Sequence, residues 1–276
     1  MSEDATPHPS TTTPVVYHMP GSDAITVLRE VQSRAADGGV LAMDIYLPPD
    51  RAKGARLPAV VIVAGYPDEG FQKFLGCRFK DMASSQSWAR LMALSGMAAI
   101  TYTNRRPGDD LLALIDHLVH QAPVLGIDER RIGIWASSGN VPLALSLLMR
   151  DAPARVRCAA LLYGYMLDLD GATAVADAAR GVGFANPCAG RTIADLSTDV
   201  PLFIARAGQD QFPGLKESID AFIAGALGRN LPLTFANHPA GPHAFDLFDA
   251  SDTSREIVRR VLRFLQFHLL EIAHAD

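Results

Sequence analysis

Apolar and polar residues alternate through Ile25, Val27 and Val31, and again through Leu41, Met43, Ile45 and Leu47. A period of two marks a half-buried strand. Between the two runs, Ala36-Asp37-Gly38-Gly39 supplies an Asp-Gly turn, so the pair predicts an antiparallel hairpin. From residue 58 the pattern changes. Residues 58–64 form an unbroken apolar run, as expected of a strand covered on both faces, and similar runs follow at 97–102, 132–135, 156–162, 200–205 and 231–235. Helical periods separate them. In residues 109–121, Leu111, Leu114, Ile115, Leu118 and Val119 share one face. The last helix is expected to open on a capping box, Thr253-Ser254-Arg255-Glu256, ahead of Ile257, Val261, Leu265 and Leu269. Strands alternating with helices predict an α/β protein: a mostly parallel sheet flanked by helices, with the hairpin as its antiparallel N-terminal edge.

Two segments stand outside the alternation. Residues 1–20 are rich in Pro, Ser and Thr and read as a disordered tail. They have neither the basic nor the apolar stretch of a secretory signal, so the expected location is cytoplasmic. Residues 166–197 are rich in Ala, Gly and Asp and too short for a core of their own, so they read as a cap-like insertion within one domain spanning 21–276.

Composition narrows the classes of function. A chain of 276 residues can bury about three quarters of its unfolded surface, which excludes a miniprotein held by disulfides. The net charge of −5 and the lack of a basic run argue against a nucleic-acid surface. No apolar run approaches the roughly 20 residues of a membrane span. Cys77, Cys158 and Cys188 are odd in number and far apart, which fits free thiols rather than a disulfide framework or a zinc site. Gly181-Val182-Gly183-Phe184-Ala185-Asn186 is a fragment of a dinucleotide fingerprint that follows no strand. No metal and no cofactor is expected.

Open α/β sheets carry their chemistry beyond the carboxyl ends of the strands. After the run 132–135 come Ala136-Ser137-Ser138-Gly139-Asn140 and then an apolar helix at 141–148. A strand, a tight turn bearing a serine and an immediate helix form a nucleophile elbow, which lifts the hydroxyl above the sheet. The helix N-terminus offers an unpaired N–H to a developing oxyanion. Space before the nucleophile is short. Ser138 has Ala136 two residues before it, whereas Ser137, the alternative, would have Trp135 there, so sterics favour Ser138.

With this elbow, and most specifically with Arg131-Ile132-Gly133-Ile134-Trp135 leading into it, the sequence resembles the α/β-hydrolase superfamily from Ile25 to the C-terminus, particularly its dienelactone hydrolase-like and small esterase members. The family's Gly-x-Ser-x-Gly stands here as Ala136-Ser137-Ser138-Gly139-Asn140, and the bulk of Asn140 is expected to turn outward or push the helix away. The resemblance implies the α/β-hydrolase fold and an acid in the loop after residues 201–207, where Asp210 lies, with Asp168 and Asp170 as rivals. It implies a histidine before the last helix, where His243 stands in Gly241-Pro242-His243-Ala244-Phe245, with His238 as the nearest competitor. The order Ser, Asp, His is that of the superfamily. The loop Ala64-Gly65-Tyr66-Pro67, where relatives often have His-Gly, should supply the second oxyanion donor. Pro67 has no N–H, so the expected pair is the backbone N–H of Tyr66 and of Gly139.

The resulting expectation is a serine hydrolase that opens a small ester or lactone through an acyl-enzyme, with Ser138, His243 and Asp210 as catalytic residues. The insertion, through Phe184, and the nearby Phe212 would shape the substrate pocket. Two other readings use the same residues: a non-catalytic fold that binds a small molecule, and the same triad acting on a peptide or C–C bond. The pattern carries no signal for oligomeric state.

Overall fold

A computed structural model describes residues 8–52, 54–149 and 156–271. The hairpin forms as expected. β1 (Thr26–Arg34) and β2 (Val40–Leu47) pair antiparallel. Their loop closes through Ala35 N–H to Gly39 O at 2.8 Å, with Gly38 at φ 83°. β3 (Leu57–Ile62), β4 (Ala98–Tyr102), β5 (Ile127–Ser137), β6 (Cys158–Leu162), β7 (Leu202–Ala207) and β8 (Leu233–His238) run parallel to one another. The sheet order is β1-β2-β4-β3-β5-β6-β7-β8, and β2 is antiparallel to both its neighbours.

Burial follows the patterns that predicted the strands. Every residue of β4 and β6 is buried, as is all of β3 after Leu57, because helices cover both faces of these strands. In chain order the helices are α1 (Pro9–Thr12), α2 (Asp68–Leu75), α3 (Ala83–Leu94), α4 (Pro107–His120), α5 (Ala122–Leu125), α6 (Val141–Leu148), α7 (Ala174–Val182), α8 (Leu215–Gly228), α9 (Phe245–Phe248) and α10 (Asp252–Gln266). The apolar stripe of α4 is buried as its period predicts. Trp88 of α3 packs on Trp135 of β5 with ring centroids 4.9 Å apart.

The topology locates the chemistry. From β3 the chain moves to β4 on one side and then to β5 on the other, so the order reverses between β3 and β5. A crevice opens beyond the strand ends at such a switch point. Ile62 lies opposite Trp135, and Val63 N–H donates to Trp135 O at 2.9 Å, so the loop after β3 and the turn after β5 leave the sheet side by side.

Two expectations need correction. Residues 1–7 of the expected tail lie outside the described residues, but residues 8–20 are docked. Val15 is fully buried, its N–H donates to Ser87 Oγ at 3.2 Å, and Val16 N–H donates to Asp246 O at 2.8 Å. Val15, with Tyr17 and Met19 packed against the core and two backbone anchors, outweighs a polar composition. Helix α10 begins at Asp252, one residue before the expected capping box, because the Ser251 side chain accepts from Ser254 N–H and caps it. The insertion at 166–197 holds α7 and no strand. It is pinned, with Val175, Phe184, Cys188 and Ile193 buried and Cys188 Sγ donating to Pro142 O at 3.1 Å.

Candidate active site

β5 ends at Ser137, and the next residue, Ser138, has φ 55°. That left-handed conformation strains a side-chain-bearing residue and is held here by the strand behind it and α6 ahead. Ser137 keeps extended geometry at φ −137°. The turn therefore presents Ser138, and Ser138 Oγ lies 2.9 Å from His243 Nε2. His243 Nδ1–H donates to Asp210 Oδ2 at 2.6 Å, and Asp210 Oδ1 accepts from Phe212 N–H at 3.0 Å. The Asp210 carboxylate is sealed from solvent, whereas the His243 ring is one-fifth exposed. Gln209 N–H donates to Gly241 O at 2.9 Å, tying the loop of the acid to the loop of the histidine.

The rival residues are engaged elsewhere. Asp168 accepts from Val175 and Ala176 N–H at 2.8 and 2.9 Å and so holds the start of α7. Asp170 sits exposed at a left-handed turn. His238 Nε2–H faces Asp249 Oδ2 at 2.8 Å and Ser254 Oγ at 3.0 Å. Arg105 pairs with Asp37 and Arg106 with Asp109.

The loop after β3 comes to rest against the serine turn. Asn140 is 3% exposed, neither turned outward nor displacing the helix as expected. It faces the neighbouring loop instead: its Oδ1 accepts from Gly65 N–H at 2.7 Å and its Nδ2 donates to Ser137 O at 3.0 Å. Gly65 makes this approach possible, since a Cβ there would sit 2.9 Å from Asn140 Cα. The Tyr66 side chain crosses above the turn, where a Cβ on Gly139 would collide with its phenol oxygen. Burial pushes the Tyr66 phenol up to about 12, so it stays protonated across the neutral range.

The aromatic residues named from the sequence flank this arrangement. Phe212 lies edge-on to the His243 ring at 4.5 Å between centroids. Phe184 stacks on Tyr165 at 5.6 Å and meets Tyr66 at 6.0 Å. An open depression of about 350 Å³ is lined by Gln209, Gln211, Phe212, Pro242 and His243. An apolar one of about 250 Å³ runs from Tyr66 over Phe71 and Phe74 to Val182. A third, about 770 Å³, lies between the hairpin and α4 and includes none of Ser138, His243 or Asp210.

Tyr163 and Asp246 escaped the sequence reading. The Tyr163 ring lies 5.1 Å from that of His243, and its hydroxyl donates to Asp246 Oδ1 at 2.5 Å. Asp246 Oδ2 accepts from Trp88 Nε1 at 2.7 Å. Burial raises the Asp246 carboxyl above the ordinary range against the pull of these two hydrogen bonds. Its place three residues after His243 was the available signal, but nothing in sequence marks its partners. Among the described residues, no group of three or more His, Cys, Asp or Glu could hold a metal ion, and no helix is long and apolar enough to cross a membrane.

No family model matches the chain, and no curated protein matches it. Solved structures do. Esterase Est22 superposes with a TM-score of 0.66 at 16% identity, covering 89% of this chain and 81% of that one. A bacterial heroin esterase superposes with a TM-score of 0.68 at 14% identity, covering 90% and 86%. A variant of LAE6, an α/β-hydrolase enzyme from the metagenome of Lake Arreo, Spain, superposes with a TM-score of 0.66 at 18% identity, covering 90% and 86%. At such identities the likeness is one of architecture, and with the eight-stranded sheet it defines the class: this chain has the α/β-hydrolase fold.

Proposed function

We propose that the protein is a serine hydrolase of small carboxylic esters, lactones included, acting through a Ser138-His243-Asp210 triad. One observation carries the reading: an unbroken row of hydrogen bonds from the strained Ser138 through both nitrogens of His243 to the buried Asp210. The esterases among the structural neighbours support the same class of substrate.

The geometry supports a two-step acyl transfer. Ser138 Oγ attacks the ester carbonyl as its proton passes to His243 Nε2. Asp210, buried and hydrogen-bonded to Nδ1–H, holds the ring in the required tautomer and stabilises the imidazolium. The carbonyl oxygen gains charge and is met by the N–H groups of Gly139 and Tyr66. His243 then gives its proton to the leaving alcohol oxygen, and the acyl group remains on Ser138. Water, deprotonated by His243, attacks the acyl-enzyme and releases the acid. In a lactone the leaving alcohol stays tethered to the acyl part, which changes no step. Phe212, beside the imidazole, borders an open depression with room for part of a small substrate, and Phe184 backs Tyr66 from within the fold.

Hydrolysis of p-nitrophenyl acetate and butyrate, together with fluorophosphonate labelling, tests the reading. Wild type and Ser137→Ala should turn over and take up label, and Ser138→Ala should do neither. Label retained by Ser138→Ala overturns the choice of nucleophile. Folded wild-type protein that neither turns over nor labels overturns the enzyme in favour of a binding protein.

A further inference from the structure

Residues 64 and 65 carry four backbone polar groups, and each has a partner. Ala64 N–H donates to Tyr102 Oη at 3.2 Å, and Ala64 O accepts from Asn104 Nδ2 at 3.3 Å. Gly65 N–H donates to Asn140 Oδ1 at 2.7 Å, and Gly65 O accepts from Ala185 N–H at 2.8 Å. The partners come from β4, the loop after it, the serine turn and the insertion, so the loop is held from four directions. The next backbone N–H is that of Tyr66, and the one after it is missing because residue 67 is proline. Gly65 C=O and Tyr66 N–H belong to one planar trans peptide and point to opposite sides. Holding Gly65 O against Ala185 therefore sets the direction of the Tyr66 N–H.

We propose that Asn140 and the Ala185 N–H form a two-sided clamp that presets the oxyanion hole, with Asn140 as a positioning residue. The proposal rests on the serine hydrolase reading. Asn140 is suited to the task because its two ends touch different parts. Nδ2 holds Ser137 O within the turn that carries Gly139 N–H, and Oδ1 holds the loop that carries Tyr66 N–H. A single carboxamide thus sets the spacing between the two donors. Donors aimed in advance at the developing charge need no rearrangement during the reaction, whereas a displacement of about 1 Å costs on the order of 100-fold in rate. A glycine at position 140 could not make this link, so the departure from the family motif adds a tether.

The test compares wild type, Asn140→Ala and Ala185→Pro, which removes the N–H facing Gly65 O. Measurements are kcat and KM on p-nitrophenyl butyrate, the Ki of a trifluoromethyl ketone that forms a tetrahedral adduct, and thermal unfolding. Both variants should lose about 100-fold in kcat. Their KM should stay within about threefold, because ground-state binding does not use the hole. Inhibitor affinity should fall in the same proportion as kcat/KM, which a general loss of stability would not produce. If Asn140→Ala does not fold, Ala185→Pro decides alone. Wild-type kcat and inhibitor affinity in either folded variant overturn the clamp. Wild type and Ser138→Ala separate this failure from the larger one: folded wild type without turnover removes the hydrolase reading, activity surviving in Ser138→Ala removes Ser138 as the nucleophile, and an inactive Ser138→Ala beside fully active clamp variants removes the clamp only.

Discussion

Among the described residues, two clusters of serine, histidine and aspartate differ in how the imidazole is used. In the first, His243 stands between its partners, with Nε2 toward Ser138 and Nδ1 toward Asp210. In the second, a single nitrogen of His238 meets both, with Nε2 facing Asp249 at 2.8 Å and Ser254 at 3.0 Å, while Nδ1 is buried without a partner. Only the first can pass a proton from the hydroxyl to one nitrogen while the other is steadied by a carboxylate. The serines differ as well. Ser138 sits on a strained turn beside a one-fifth-exposed imidazole, whereas Ser254 is fully buried in the first turn of α10 and donates to Asp249 at 2.8 Å. The second cluster fastens the end of β8 to the start of α10. It also backs the first, since Gly241 N–H donates to His238 O at 3.0 Å in the loop that delivers His243. Three residue types in contact do not make a relay; the bridging nitrogen does.

The largest expected effect is on the first serine. Ser138→Ala should lower kcat on p-nitrophenyl esters by roughly 10⁴- to 10⁶-fold, with Ser254→Ala assayed beside it as the contrast. Equal losses in the two would erase the distinction. Next come the carboxylates. Asp210→Asn should cost about 10⁴-fold in kcat by favouring the wrong tautomer of His243, while Asp249→Asn leaves kcat within about twofold. Smaller still is the effect of Ser254→Ala on stability. Loss of one buried hydrogen bond is worth about 1 kcal/mol, which calorimetry should read as a fall in Tm of roughly 2–4 °C.

The smallest effect is seen in acid. Burial raises the Asp249 carboxyl, but hydrogen bonds from Ser251, Ser254 and His238 outweigh it and leave it at about 2. A carboxyl lowered on folding contributes stability that is complete above its unfolded value of about 4 and lost as pH falls toward 2. Wild-type Tm should therefore drop more steeply over that window than the Tm of Asp249→Asn. Parallel curves would show that the cluster does not tighten the fold through this charge.

The elements legible in the chain were those written in local patterns. Alternation predicted the hairpin, unbroken apolar runs predicted the buried parallel strands, and the Ser-Ser-Gly stretch between a strand and an apolar helix predicted the tight turn that bears Ser138. The resemblance pointed to Asp210 and His243 ahead of Asp168 and His238; His243 Nε2 lies 2.9 Å from Ser138 Oγ, and Asp210 hydrogen-bonds the other nitrogen of His243. Asn140 shows where such reading stops. Its bulk was visible in the sequence, yet the group that uses it, Gly65 N–H, is brought alongside only because β3 and β5 are neighbours in the sheet. Ala185, Tyr163 and Asp246 are similar cases, each given its place by a contact with a distant part of the chain. The docking of Val15 and the two-residue shift of the α10 cap, from Thr253 to Ser251, also depended on partners far along the chain or on competition between nearby caps.

Periodicity, turn chemistry and the order of strand ends were thus enough to say which loops gather beyond the strand ends, because each is a property of a few consecutive residues. Which atoms within those loops face one another, and which of two similar clusters bridges a serine to an acid, was decided by packing. Contacts between remote segments depend on distances that no local pattern encodes.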